Sequence, residues 1–297
     1  MKKINRIIYN FLLLFLIVGT FAFADNTNMN TGMQLFYSKK LADAIPYFEK
    51  TLSEDAKNTL AVTYLLDCYE KTGKLNEITK VFEKTASEKP QDALAQAYYG
   101  LSMFTKSLID PSLDNETAEI FKNAIKLDPN LSMAYTGLGM TYFQRRMIPR
   151  ARALFIKAIQ LNPNDIVATE LYSNILLVDD KKPESALDYL NKNAELLPEY
   201  PDTYYYIGSC NYDIDKGDET IAGLNKAMAL DPLGLTSGFN AAVLLGDYYF
   251  KTKNYPMAIK AFEQALKINP ESMYAKFRLE RSKNPNAPIK SIQKDKE

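Results

Sequence analysis

The 297-residue sequence contains no histidine. Histidine is the commonest general base in enzymes and the commonest side-chain ligand of transition metals. Its absence excludes a histidine-based catalytic triad and a histidine-ligated zinc site. An enzyme made from this chain would have to work with carboxylates, lysine or tyrosine. The sequence therefore predicts no catalytic residue, no metal site and no cofactor.

An excess of positive charge is also missing, because 36 lysines and arginines balance 36 aspartates and glutamates. Nucleic-acid binding depends on basic side chains that displace counterions from phosphates, so nucleic acid is not an expected partner. Hydrophobic residues make up 46% of the chain and charged residues 24%, which is ordinary for a globular protein. The composition argues against disorder.

The first 24 residues differ from the rest of the chain. Three basic residues within the first six precede an uncharged stretch that has FLLLFLIV at its centre and ends in Ala-Phe-Ala. This pattern is typical of a secretory signal peptide over residues 1–24. It predicts export to the periplasm or the medium, with no membrane span after cleavage before Asp25. The alternative is an uncleaved anchor, because 18 uncharged residues can just span a bilayer.

Prolines recur at intervals of 34 to 39 residues through the chain. The six prolines of this series are Pro90, Pro129, Pro163, Pro198, Pro232 and Pro270. Amphipathic runs such as AIKLDPN, AIQLNPN and ALKINPE lead into them. The residue before a proline is pushed out of the α-helical region, so each proline indicates the end of a helix.

Two helices fit between successive prolines. In residues 132–165, two sets of apolar or small residues each share one helical face. The first set is Tyr135, Leu138, Gly139 and Tyr142, and the second is Ala151, Leu154, Phe155 and Ala158. The chain turns between them, at residues 144–150. Such a hairpin buries its apolar faces only when neighbouring hairpins stack on it.

This unit resembles the tetratricopeptide repeat, a 34-residue helix–turn–helix with small residues at fixed positions and a closing proline. The matching residues are Tyr135, Leu138, Gly139, Tyr142, Ala151, Phe155, Ala158 and Pro163. Glycine in a helix interior costs roughly 0.5–1 kcal/mol relative to alanine. We expect Gly139, with Ala151 and Ala158, to let the two helices approach closely enough to offset that cost.

The same register extends over most of the chain. It predicts seven units at residues 25–58, 59–92, 93–131, 132–165, 166–200, 201–234 and 239–272. A capping helix is expected at 273–282 and a loose polar tail at 283–297. The resemblance implies an all-α fold, a right-handed α-solenoid over 25–282, and no room is left for a separate catalytic domain.

The resemblance also implies that the first helix of each unit lines a concave groove. The predicted groove residues are Phe104, Met140, Phe143, Leu177, Tyr205, Tyr212 and Phe250. An exposed apolar strip of this kind fits an extended peptide or an amphipathic helix. The alternative is that these side chains only pack one repeat against the next. The basic clamp with which chaperone-binding members hold a terminal carboxylate is missing here.

Other candidate residues have a structural interpretation that we prefer. Cys68 and Cys210 occupy the same register position in units two and six, too far apart for a disulfide, and are predicted to be small buried packing residues. The acidic run at 213–219 is compatible with calcium, but a solvated loop is the simpler interpretation.

Full coverage by interaction repeats predicts a non-catalytic protein–protein interaction scaffold outside the cytoplasm. It would bind a partner peptide or helix in its concave groove, and association with envelope complexes is compatible with export. Two alternatives stay open. One is a cell-wall-acting enzyme or enzyme subunit that uses a carboxylate pair such as Glu170 and Asp213. The other is a carrier of a hydrophobic small molecule.

Overall fold

The computed structural model of the protein describes residues 26–286. The predicted signal peptide, and with it the anchor alternative, lies outside the described residues, as does most of the predicted tail. Fifteen α-helices and no β-strand occur between residues 26 and 286. The predicted all-α solenoid is confirmed.

The helices form seven successive hairpins and one final helix. The first helices of hairpins 1 to 7 are α1 (Thr27–Tyr37), α3 (Thr59–Lys71), α5 (Ala93–Ser107), α7 (Ser132–Gln144), α9 (Ile166–Val178), α11 (Pro201–Asp213) and α13 (Gly238–Lys251). The second helices are α2 (Leu41–Glu54), α4 (Leu75–Glu88), α6 (Asp114–Leu127), α8 (Ile148–Leu161), α10 (Pro183–Leu196), α12 (Gly217–Leu230) and α14 (Tyr255–Ile268). The chain then forms α15 (Met273–Lys283). Each hairpin packs against the next one in chain order.

The six prolines of the series mark the helix ends that the sequence predicts. Helices α4, α6, α8, α10, α12 and α14 each end two residues before one of them. The turns then supply caps for the following helices: Asn58, Asp92, Asp165 and Ser272 accept hydrogen bonds from backbone N–H groups in the first turns of α3, α5, α9 and α15. Capping satisfies donors that the start of a helix leaves unpaired.

Glycine and phenylalanine meet at the centre of hairpin 4. A methyl group on Gly139 would lie 2.6 Å from Cε1 of Phe155, whose side chain is fully buried. Ala151 and Ala158 are also fully buried, as expected. The glycine therefore makes room for an aromatic ring of the facing helix, which is a more specific role than close helix approach alone.

The same contact recurs in hairpins 1, 3 and 7, between Gly32 and Phe48, Gly100 and Phe121, and Gly246 and Phe262. Hairpin 5 replaces both partners, with Ser173 at the glycine position and Leu190 at the phenylalanine position. Both of these side chains are fully buried. In hairpin 5, a larger residue on one helix is therefore accompanied by a smaller one on the other.

The two longer of the three insertions that interrupt the 34-residue register have local explanations. The extra residues of hairpin 3 form a 3₁₀ turn at Pro111–Leu113, capped by Asp110. The spacer before α13 is ordered by Asp231, whose buried carboxylate accepts hydrogen bonds from backbone N–H groups of Leu235, Thr236 and Gly238 at 2.9 Å. Both insertions extend loops without disturbing the stack.

The solenoid folds back on itself, so that hairpins 1 and 2 contact hairpins 5 and 6. Asn26 Nδ2 donates to the carbonyl oxygen of Leu196 at 2.9 Å. The buried carboxylate of Asp165, at the start of α9, accepts hydrogen bonds from Thr59 of hairpin 2 at 3.1 Å and from Thr136 of hairpin 4 at 2.8 Å. The N-terminal part of the concave side is therefore filled by the chain itself.

No helix within the described range combines the length and the apolar character needed to cross a membrane.

Candidate binding groove

The inward side chains of the N-terminal hairpins are packed rather than open. Met33, Phe36 and Leu101 are nearly or completely buried, and Met140 is 9% exposed. Of the other predicted groove residues in this half, Phe104 is partly buried against the main core. Phe143 contacts the ring of Phe155 in its own hairpin, with centroids 6.3 Å apart.

An open cleft of about 370 Å³ lies in the C-terminal half, between α9, α11 and α13. It is called the C-terminal cleft below, and the residues that define it are Asn174, Leu177, Val178, Tyr205, Tyr206 and Tyr212. Three of the seven predicted groove residues, Leu177, Tyr205 and Tyr212, are thus brought together. Phe104, Met140, Phe143 and Phe250 are not part of its lining.

Phe250 packs at the C-terminal end of the stack. Its ring lies 5.5 Å from the ring of Tyr255, and the guanidinium of Arg278 stands 4.3 Å from its centroid. Arg278 also pairs with Asp247, with Nε and Oδ1 2.7 Å apart. Phe250 therefore joins α13 to α14 and α15 instead of lining an open groove.

Hydrogen bonds and ring contacts hold the side chains of the C-terminal cleft in place. Asn174 Nδ2 donates to the hydroxyl of Tyr206 at 3.0 Å and so links α9 to α11. The ring of Tyr212 contacts Tyr248, with centroids 6.3 Å apart, and Lys251 Nζ lies 4.9 Å from the Tyr212 centroid. Val178 is 48% exposed at the edge of the cleft. The result is a preformed surface on which aromatic faces lie beside amide, hydroxyl and charged groups.

Two carboxylates lie beneath the cleft, one helical turn before Asn174 and Tyr206. Glu170 is only 9% exposed, and its Oε2 has no hydrogen-bond partner among the described residues. Burial raises the pKa of Glu170 well above its ordinary value, and the like charge of Asp202 raises it further. Burial also raises the pKa of Asp202. These carboxylates take up protons more readily than ordinary surface groups.

Tyrosines from three hairpins cover these carboxylates. The hydroxyl of Tyr200 donates to Asp202 Oδ2 at 3.3 Å, and the ring of Tyr200 lies 6.4 Å from that of Tyr64. The hydroxyls of Tyr37 and Tyr64 are hydrogen-bonded to each other. Burial raises the pKa of all three phenols, which are therefore neutral. Together with Glu170 and Asp202, they form what we call the acid–tyrosine cluster.

Sequence reasoning missed this cluster, although one signal was available. Glu170, Asn174 and Val178 follow each other at intervals of four on α9, so they share one helical face. The carboxylate pair considered for acid–base chemistry is not brought together. Glu170 is buried beside Asp202, whereas Asp213 is exposed at the end of α11.

The two cysteines and the acidic run at 213–219 have structural roles in the fold. Both cysteines are free and buried, as predicted, and burial raises the pKa of each thiol to about 12. In the acidic run, Asp215 pairs with Lys251 at 2.7 Å. Within residues 26–286 no group of three or more acidic, cysteine or histidine side chains is arranged to hold a metal ion.

Comparison with known proteins supports the class that the hairpins define, an α-solenoid of helix–turn–helix repeats. The family model for the tetratricopeptide repeat matches residues 239–272, which contain most of α13 and all of α14. Superkiller protein 3 of Schizosaccharomyces pombe is 22% identical over 263 residues, which cover 84% of this chain and 18% of that protein. The chloroplastic tetratricopeptide repeat domain-containing protein PYG7 of Arabidopsis thaliana is 29% identical over 181 residues, 58% of each chain. The chain thus spans less than a fifth of superkiller protein 3.

Solved structures give the same result for the fold. The structure of PilF from Pseudomonas aeruginosa aligns with a TM-score of 0.56 at 18% identity, over 76% of this chain and 98% of that one. YrrB, a tetratricopeptide repeat protein, aligns with a TM-score of 0.51 at 22% identity, over 67% and 97% of the two chains. Residues 239–272 match the tetratricopeptide repeat, and the seven stacked hairpins have the fold of tetratricopeptide repeat structures.

Proposed function

We propose that the protein is a non-catalytic interaction scaffold that works outside the cytoplasm and binds a segment of a partner protein in the C-terminal cleft. One observation carries the proposal. The concave side is filled in the first four hairpins and opens into an aromatic-lined cleft across the first helices of hairpins 5, 6 and 7. Export is supported by the N-terminal sequence pattern alone.

The chemistry of the cleft suits a peptide. Tyr205, Tyr206 and Tyr212 offer large apolar faces that end in hydroxyls, and such residues contribute strongly to peptide and protein interfaces. Asn174 and Asn240 carry amides able to bond the main chain of an extended segment. The structure of YrrB is described as having an unusual peptide-binding site, and that shared fold favours the same kind of ligand here.

Site-specific photo-crosslinking in cells of the native host tests the proposal. The crosslinking residue replaces Val178 in the cleft or, as a matched control, Val81 on α4, a helical valine that is 55% exposed on a second helix. We expect a discrete adduct from position 178 and none from position 81. Tyr212→Ser should abolish the adduct while circular dichroism stays unchanged.

Equal adducts from the two positions, or an adduct that persists in the Tyr212→Ser variant, would contradict binding in the cleft. The export part is tested separately by fractionating cells and sequencing the N-terminus of the mature protein. We expect a chain that begins at Asp25 outside the cytoplasm. A full-length chain retained in the cytoplasm would refute that part and leave the cleft proposal intact.

A further inference from the structure

The two carboxyl groups of the acid–tyrosine cluster lie one helical turn below the lining of the C-terminal cleft, and we call them its floor. Glu170 precedes Asn174 by one turn on α9, and Asp202 precedes Tyr206 by one turn on α11. Asn174 and Tyr206 are bonded to each other and line the cleft. A rise of about 1.5 Å per residue places the two carboxylates roughly 6 Å below this pair along the helices. That depth is close to the length of an extended lysine side chain.

The floor holds two acidic side chains without a basic partner among the described residues. Glu170 Oε2 and Asp202 Oδ1 are both buried and unpartnered among the described residues. The charged group that acts most strongly on Glu170 is Asp202, which has the same sign. The groups that face them from α1, α3 and the turn before α11 are the neutral phenols of Tyr37, Tyr64 and Tyr200. Asp202 is also faced by Thr236, Ser237 and Asp231 from the segment before α13, and none of these is basic. A buried carboxylate is unfavourable unless it is paired or protonated.

The lysine that lines the cleft, Lys181, does not pair with the buried acids of the floor. Lys181 lines the cleft, but it lies beyond the C-terminal end of α9, whereas Glu170 lies near the N-terminal end of that helix. The outer end of the cleft thus carries one lysine and one carboxylate, Asp213, whereas the deep end carries acidic groups and no basic one. A ligand that carries a cation is complementary to the deep end.

We propose that the partner segment carries a lysine or arginine whose cationic group passes between Asn174 and Tyr206 and pairs with Glu170 and Asp202. This inference rests on the proposed function and adds the chemistry of the partner. The hydrogen bond between Asn174 and Tyr206 opens on binding, and the tyrosine rings around the floor favour a cation electrostatically. A bound cation gives the buried carboxyl groups the partner that they need in order to ionise, which favours basic over neutral segments.

A random-sequence peptide library displayed against the immobilised mature chain, residues 25–297, provides the test. We expect the selected peptides to share a lysine or arginine at one position. For a synthetic peptide of the selected sequence, Glu170→Gln combined with Asp202→Asn should weaken binding at least about tenfold, as expected for the loss of charge-assisted hydrogen bonds. Replacing the basic residue of the peptide by norleucine should weaken binding to wild type by the same factor. It should not weaken binding to the double variant any further. Asp188→Asn, which changes an exposed carboxylate on α10 outside the cleft, is the matched control and should leave binding unchanged.

The outcomes separate this inference from the proposed function. Gln and Asn keep the shapes of the side chains that they replace and cannot ionise in the buried site, so the double variant is expected to fold, which circular dichroism checks. Selected peptides without a common basic residue, or peptides that bind the double variant as tightly as wild type, would overturn the inference and leave the cleft as a peptide site. A library that yields no binder sensitive to Tyr212→Ser would count against the proposed function itself.

Discussion

Replacing Gly139 by alanine tests whether the ring of Phe155 is what fixes glycine in the first helix of hairpin 4. The added methyl group would lie 2.6 Å from Cε1 and 2.8 Å from Cδ1 of that ring, where about 3.4 Å or more is ordinary contact. Because Phe155 is fully buried, the ring has no solvent-filled space into which it can move. The substitution therefore overpacks the hairpin.

The expected magnitude is a balance of two effects. Overpacking a core costs typically about 1–3 kcal/mol, whereas alanine in a helix interior is favoured over glycine by roughly 1 kcal/mol. We expect Gly139→Ala to lower the free energy of unfolding by up to about 2 kcal/mol, measured by urea denaturation followed by circular dichroism. Gly217→Ala is the matched control. There the nearest obstacle is only the hydroxyl end of Tyr248, so we expect little change.

A double-mutant cycle makes the reasoning refutable. Hairpin 5 already combines a larger residue, Ser173, with a smaller one, Leu190, so Phe155→Leu should relieve the overlap caused by Gly139→Ala. Contacting residues that relieve each other show coupling energies of about 0.5–3 kcal/mol. If Gly139→Ala alone stabilises the protein, or if the coupling energy is zero within error, the ring does not explain the glycine.

Three further predictions concern buried polar groups. Glu170→Gln should be more stable than wild type at pH 8, and the difference should shrink as pH falls towards 4. The reason is that the pKa of Glu170 is raised in the folded state, so wild type loses stability as pH rises from the ordinary carboxyl pKa through the raised one. A pH-independent difference in urea titrations would contradict this. Asp165→Ala should lower the free energy of unfolding by about 2–4 kcal/mol, because it removes a helix cap and the carboxylate that accepts hydrogen bonds from Thr59 and Thr136. Asp165→Asn keeps an acceptor oxygen and should lower it clearly less in the same assay. Both cysteines should react with a thiol reagent only after denaturation, because burial keeps them protonated and inaccessible; rapid labelling of the native protein would contradict that.

The repeat itself was predictable because its signals are local. Prolines fix the ends of the second helices, and 3.6-residue periodicity identifies the two helices of each hairpin. Gly139 and Phe155 both belong to the motif, but their contact could not be read from spacing, because the distance between facing helices is a property of the packed hairpin. Gly137 was missed for the same reason: a methyl group there would overlap the ring of Phe121 in the preceding hairpin.

The division of the concave side into a filled half and an open half could not be predicted. It depends on contacts such as that between Thr59 and Asp165, which lie 106 residues apart. Small rotations between successive hairpins add up to bring those residues together, and no pattern in the sequence records their sum. Sequence reasoning therefore named inward residues along the whole solenoid, whereas the open cleft takes in only three of the seven.

The hydrogen bonds of Asp165 to two other hairpins have a consequence for how the protein unfolds. In a simple linear array each repeat touches only its neighbours, and the ends can fray independently of the middle. Here the second hairpin is tied to the fifth, so loss of the N-terminal end also removes support from the centre of the chain. Unfolding should accordingly proceed in a single concerted step through hairpins 1 to 6, with native-state hydrogen exchange showing similar protection at both ends of that span.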